Sequence, residues 1–436
     1  MHIDYNFTAL GCSRIVKSKK TVPDRVSHFE SYNSAVIPYG GGYSYNDIFF
    51  HKNSTSISSN KFNRILDFNK TKKIIEVESG ATLNDIFYFL QAEGFYLKIQ
   101  PGFPLITIGG CIAGNVHGKN QYKDGNFIKI IKSIKIYNPD LGLIEISRNK
   151  NKKLFELTVG GFGLSGFIIS AKIKIDILPS NFVRNKKIYF NSLLEAFDIL
   201  KKESKNNDFL YSWHQPTIAS DFRGFVNVGN FQNSNKKYKP KKITPDQIKK
   251  KLPFYSIYSK HVVLILSKLY FYKNYIFKNI TTNVYDSFFP LAKKGMYFYL
   301  YGKEGLIETQ FIIPEKRKLD FYRFLLNQFE LIKPNIVLFS VKYFKKYEPK
   351  YLRFDDDGYC VSFNFLRTDS SKLFLKDLYS FLRQYNCKIN LTKDSSFEMK
   401  YLNKHFPNIS YFFSSIGFFK KTAKQYISKI NIDYEK

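Results

Sequence analysis

The chain has 436 residues, 44% of them hydrophobic and 24% charged, and carries a formal net charge of +32. Those proportions are ordinary for a globular protein, and the length can bury a sizeable core, with two domains as the natural expectation. The charge points to polyanions or an anionic membrane surface as partners, but no RNP-like, helix-turn-helix or zinc-finger pattern accompanies it, so nucleic acid is not expected.

The four cysteines, Cys12, Cys111, Cys360 and Cys387, have no short metal-binding spacing and suggest no disulfide framework. A reducing compartment and no metal are expected. The opening Met1 to Asn6 lacks the apolar core of a signal peptide, and no run of 18 apolar residues exists, so the expected location is cytoplasmic or peripheral on a membrane.

Residues 35–80 read as short strands broken by turns. Ile74 to Glu78 alternates in part and ends at Gly80, as a strand would. Thr82, with Asp85 three residues on, caps a predicted helix through Leu90. Ile128 to Ile136 and Gly166 to Ile177 are rich in β-branched residues and predict strands. After Leu178-Pro179 the pattern changes: Leu193 to Ser204 reads as an amphipathic helix, and strand-like segments surround Trp213 and Phe225 to Val228. Asn233 to Lys251 carries eight lysines in 19 residues and reads as a solvated or disordered linker. Leu252 to Lys278 is apolar and aromatic with scattered lysines. It is too interrupted to span a bilayer, and suits either a headgroup interface or a buried helix. Ile307 to Pro314, Asn335 to Tyr343 and Tyr359 to Phe365 predict central strands, separated by helices at Lys316 to Phe329 and Ser371 to Tyr385.

Three glycine clusters interrupt the first 170 residues. They are Gly40-Gly41-Gly42-Tyr43-Ser44-Tyr45-Asn46-Asp47, the run from Pro101-Gly102 through Thr107, Gly109, Gly110, Cys111, Ala113, Gly114, His117 and Gly118 to Asn120, and Gly160-Gly161-Phe162-Gly163-Leu164-Ser165-Gly166. Glycines let main chain approach a ligand, and their N–H groups can cradle phosphate oxygens. Neither the Rossmann nor the P-loop spacing is present, so a flat or phosphate-bearing ligand would lie along these loops differently.

Together the three clusters resemble the FAD-binding domain of vanillyl-alcohol-oxidase-type flavoproteins, and within them the decaprenylphosphoryl-β-D-ribose 2-oxidase family. The likeness runs on through Gln310-Phe-Ile-Ile-Pro314, Lys342-Tyr-Phe344 and Lys393-Asp394-Ser395, in the expected order, and is loose in the middle third. It implies an α+β, two-domain fold of the PCMH type. Residues 1–180, completed by 388–436, would form the FAD-binding domain. Residues 181–387 would form a substrate domain on a mainly antiparallel sheet, with a membrane-facing segment at about 233–278.

The resemblance also assigns roles. The glycine loops, with Tyr43, Ser44, Tyr45, Pro101, Thr107, Cys111, Ala113, His117, Asn120 and Ile168, would hold FAD, and Lys119 would support the loop or contact a phosphate. Lys393 would place a positive charge beside the flavin; without the family match it reads as a surface lysine. His117 would accept or relay the hydroxyl proton, or only hold its loop. Tyr45 would hydrogen-bond flavin or substrate, or pack. Glu308, Gln310, Lys342, Cys360, Ser362, Asn390 and Lys393 would face the substrate, Glu308 because it shares a strand face with Gln310. The chain departs from the family at Glu308 (more usually glutamine), at Cys360-Val361-Ser362 (Asn-x-Cys), at Asn390 (tyrosine) and at Tyr43 (arginine). Many relatives in the wider group carry at position 43 a histidine joined to the flavin, so dissociable FAD is expected here.

The activity so implied is oxidation of the 2-hydroxyl of a polyprenyl-phosphate-linked pentose. This is the first half of a ribose-to-arabinose epimerisation for the cell envelope, completed by a separate NAD(P)H-dependent short-chain reductase. A soluble aldonolactone or alditol oxidase on the same fold is the alternative. A membrane-surface or nucleic-acid-binding protein retaining a decayed flavin fold is a third.

Overall fold

A computed structural model of the chain describes residues 3–8, 11–16, 20–21, 35–46, 55–215, 222–234, 256–292, 299–302, 305–393, 397–427 and 430. Asp47, Asp394, Ser395 and most of the lysine-rich 233–251 stretch lie outside them.

A small parallel sheet, β1 (Lys20–Thr21), β2 (Val36–Tyr39) and β3 (Thr55–Ser58), runs in the order β1-β3-β2. Beside it is an antiparallel sheet of β4 (Ile65–Asn69), β5 (Ile74–Glu78), β6 (Ile131–Asn138), β7 (Gly142–Ser147) and β8 (Phe167–Lys174), in the order β7-β6-β8-β5-β4. Strand β5 has the bounds its alternation predicts. The run from Ile128 becomes strand only at Ile131, after a 3-10 turn at Phe127–Lys129. The run from Gly166 divides into β8 and a two-residue strand, Asp176–Ile177.

Helix α1 (Leu83–Ala92) starts at a complete capping box between Thr82 and Asp85. Its Leu83, Ile86, Phe87 and Leu90, spaced to share one face, are buried in the core beside the five-stranded sheet. The second glycine cluster forms the short helix α2 (Ile108–Ala113), capped by the Thr107 hydroxyl.

The second half is an eight-stranded antiparallel sheet. Its strands are β9 (Phe182–Phe190), β10 (Phe209–His214), β11 (Gly224–Phe231), β12 (Asn279–Asn283), β13 (Ile307–Ile313), β14 (Ile336–Phe344), β15 (Gly358–Phe365) and β16 (Lys388–Ile389), in the order β12-β9-β11-β10-β14-β15-β13-β16. Helices α3 (Leu193–Glu203), α5 (Lys318–Leu331) and α6 (Asp369–Gln384) cover one face; α4 (Lys260–Ile276) lies between β11 and β12 in sequence. Strand alternation sorts the residues. Phe311, Val341, Val361 and Phe363 enter the helix-covered core with Phe197, Leu325 and Leu378. Their neighbours Gln310, Ser340 and Ser362 stand opposite one another across three strands on the other face.

The C-terminal stretch contacts both halves. Leu402, Phe406 and Phe412 join the core of the large sheet. Tyr426 bridges to Val36, and the Asp140 carboxylate accepts the N–H groups of Lys421 and Thr422. Among the described residues no helix is long and apolar enough to cross a membrane.

Candidate active site

A cavity of about 400 Å³ lies between the glycine loops and the uncovered face of the large sheet. One wall is largely main chain: Gly40 to Tyr45, Pro101-Gly102, Thr107, Gly109, Gly110, Ala113, Gly114, Gly118, Gly163, Gly166 and Ile168 all line it. The glycines are needed for close packing. A Cβ on Gly40 would sit 2.6 Å from the Thr107 hydroxyl that caps α2; Gly42 has φ +70°, and a Cβ there would sit 2.3 Å from the Tyr39 hydroxyl. Behind this wall Ser59 Oγ, Ser79 Oγ and Asn115 Nδ2 are buried without a hydrogen-bond partner in the protein, and all three residues line the cavity. Buried polar atoms normally find partners, so this wall is built for a ligand rich in polar atoms. A dinucleotide with phosphates, ribose hydroxyls and a heteroaromatic ring satisfies that requirement, and FAD fits these residues.

The opposite wall is made of side chains: Glu308 and Gln310 on β13, Ser340 and Lys342 on β14, Ser362 and Asn364 on β15, then Asn390, Thr392 and Lys393 after β16. Lys393 Nζ is 3.7 Å from Glu308 Oε1 and 4.0 Å from the centre of the Tyr45 ring. The Glu308 carboxylate also accepts from Asn364 Nδ2 at 3.2 Å. Burial lowers the Lys393 pKa below the usual ammonium range, while Glu308 opposes the shift and Lys342 adds to it. Lys342 is lowered by burial too, with Cys360 and Glu308 opposing.

A hydrogen-bond chain fixes the amide groups that face His117. The Thr392 N–H, which cannot be reversed, donates to Asn390 Oδ1 at 3.1 Å, so Asn390 presents its NH2 to Gln310 Oε1 at 2.6 Å. Gln310 Nε2 then donates to Ser362 Oγ at 2.7 Å. His117 Nε2 therefore faces an acceptor, Gln310 Oε1, at 3.2 Å. Its Nδ1 lies 3.3 Å from the Gly118 carbonyl. Burial, with Lys342 nearby, pushes its pKa down to about 3, so the ring is neutral. Both ring nitrogens thus face oxygen acceptors, and the neutral ring can donate to one of them at a time.

Tyr43 and Tyr45 both line the cavity, and Lys119 donates to the Ser287 carbonyl and lies 5.3 Å from the Tyr211 ring centre. Four expected residues fall outside the lining. Cys111 faces the core behind α2, because the helix turns its glycines to the cavity instead. Asn120 donates to the Lys98 carbonyl and Asp124, closing its own loop. Gly161 is packed against the Leu157 carbonyl. Cys360 pairs with Lys342 across the strands but is sealed by Ile312, Phe344 and Phe354. Other lining residues escaped the sequence reading: Asn364, Ser340 and Leu338 follow from two-residue strand spacing, whereas Trp213, Tyr270, Pro290 and Leu291 carry no local signal.

Residues 12–147 match the family model of the FAD binding domain. The chain thus carries an FAD-binding domain of the PCMH type within an α+β fold, and FAD is its cofactor. It is 23% identical to decaprenylphosphoryl-beta-D-ribose oxidase of Mycolicibacterium smegmatis over 304 residues, 67% of this chain and 66% of that protein. It is 25% identical to mouse (Mus musculus) L-gulonolactone oxidase over 207 residues, 47% of this chain and 46% of that protein. With mitochondrial D-lactate dehydrogenase [cytochrome] 1 of Saccharomyces cerevisiae it shares 29% identity over 156 residues, 34% of this chain and 26% of that protein. The matches thus span just under two thirds of the first of these relatives and less than half of the other two.

Proposed function

We propose that the protein is an FAD-dependent oxidoreductase acting on a CH–OH group of a sugar. The observation that carries this reading is the opposition, across one cavity, of a glycine wall fitted to a dinucleotide and a face bearing Lys393, Glu308, Gln310, Asn364 and Asn390. Oxidation removes the carbinol C–H as hydride and the O–H as a proton; FAD, when bound, supplies the hydride acceptor. The chain's own groups place and polarise the alcohol. The Glu308 carboxylate favours the charged form of Lys393, and that cation lowers the energy of negative charge developing nearby where water is excluded. Gln310, locked by Asn390 and Ser362, keeps one geometry for a hydroxyl partner. Tyrosine at position 43 supports FAD held without a covalent link, so acid precipitation should leave the colour in solution.

Within that class the favoured substrate is a pentose on a polyprenyl phosphate, oxidised at its 2-hydroxyl to the ketone. The amides and hydroxyls of the sheet suit sugar hydroxyls. Trp213, Tyr270, Pro290 and Leu291 give the cavity an apolar flank for a lipid, and Lys342 and Lys119 suit a phosphate. The ketone would pass to an NAD(P)H-dependent reductase of the short-chain type, giving arabinose for cell-envelope polysaccharide, and the enzyme would work peripherally at a membrane. A free aldonolactone or alditol is the second reading. Glu308 favours it, since a carboxylate in the cavity disfavours a phosphate beside it. Anaerobic bleaching of the flavin by a panel of lipid-linked and free sugars decides the matter. Bleaching by the lipid-linked pentose alone is expected; bleaching by the free lactone or alditol alone selects the second reading, and by none of them removes both.

A further inference from the structure

Helix α4 exposes more apolar bulk than an ordinary surface helix does. Its inward side carries Val263, Ser267, Tyr270 and Asn274. Its outward side carries Ile265, Leu269, Tyr272 and Ile276, which are 57, 61, 57 and 73% exposed. Their spacing of four, three and four residues puts them on one stripe. Phe277 and Ile280 continue the exposed apolar surface past the helix end. Lys260, Lys268, Lys273 and Lys278 are all exposed beside it, and no Asp or Glu occurs from Ser256 to Tyr285. A solvated helix does not place its largest aliphatic side chains in water.

We infer that the outer face of α4 is a docking surface for an anionic lipid bilayer. The charge decides between occupants: an apolar ridge flanked by lysines, on a stretch without acidic residues, fits acyl chains beneath negatively charged headgroups, where lysines extend their amines outward and tyrosine sits at the boundary. A second copy of this chain would bring the same lysines against these, at net charge +32. The same helix is a wall of the site. Tyr270 lines the cavity and lies 4.9 Å, ring centre to ring centre, from Trp213, which lines it too. Docking therefore places the cavity beside the bilayer, whichever sugar it takes.

The test uses the full-length, FAD-loaded protein and two kinds of vesicle, phosphatidylcholine alone and phosphatidylcholine mixed with phosphatidylglycerol. The wild type is expected to sediment with the anionic vesicles and weakly with the neutral ones. The combined Ile265→Ser, Leu269→Ser, Ile276→Ser variant should bind anionic vesicles roughly a hundredfold more weakly, with its flavin spectrum and thermal unfolding unchanged. Lys268→Gln with Lys273→Gln should weaken binding at low salt and much less at high salt. Should the triple variant unfold, Ile276→Ser alone is expected to weaken binding about tenfold. Equal binding by wild type and the aliphatic variants overturns the inference. So does a wild type that ignores vesicles and instead self-associates through this face.

Discussion

Along the glycine loops, Gly40, Gly42, Gly109 and Gly163 bring main chain to the cavity surface, while across from them β13, β14 and β15 present charged and amide side chains. The two walls fail differently. Main-chain contacts tolerate most changes in side-chain chemistry but no added bulk. The side-chain wall tolerates bulk-neutral changes but depends on charge. Binding of the cofactor and handling of the substrate are therefore separable by substitution.

The sharpest separation comes from one substitution on each wall. Gly40→Val puts side-chain atoms into the Thr107 cap, so the variant should be isolated folded but nearly free of flavin; a normal yield of flavin would show that the glycine wall does not hold the cofactor. Lys393→Met should keep its flavin and lose roughly a hundredfold in the anaerobic reductive rate, read by stopped flow at saturating substrate. A wild-type rate would return this lysine to a structural role, and loss of flavin would erase the distinction between the walls.

A smaller effect concerns stability. His214, in β10 of the large sheet, and His405, in the C-terminal stretch, are fully buried, their pKa values pushed down by burial to about 3 and about 4. In the unfolded chain they take up protons below the usual histidine pKa near 6.5. The unfolded state then binds more protons, and stability falls as pH drops below that value, by about 2 kcal/mol per histidine at pH 5. Denaturant unfolding at pH 7.5 and pH 5 measures it; a flat result would show that these rings are not held neutral. The smallest expected effect is that of Glu308→Gln. Because Glu308 raises the Lys393 pKa, its loss should move the alkaline limb of the rate profile to lower pH and leave the flavin content unchanged. An unmoved limb would uncouple the pair.

The glycine wall was legible because glycine clusters are rare enough to mark close approach, and because Thr82, Asp85 and the β5 alternation are local signals. Cys111 and Asn120 misled since they sit inside a ligand-facing run, yet a short helix and a closed loop turn them away. On the other wall, two-residue spacing correctly tied Glu308 to Gln310, and the same rule would have added Asn364 and Ser340. Cys360 obeys the spacing but is covered by Phe344 and Phe354, which come from outside its own strand pair with β13. The chain from Thr392 through Asn390 and Gln310 to His117 joins residues nearly 280 positions apart and leaves no trace in sequence.

The chain holds one tryptophan, and it is Trp213, on the cavity wall beside Tyr270. All indole emission thus originates at one known point. Energy transfer to a bound isoalloxazine quenches such light, and a molecule displacing solvent from the apolar flank changes its colour. The protein therefore carries a built-in optical probe with which cofactor release and occupancy of the flank can each be followed without a label.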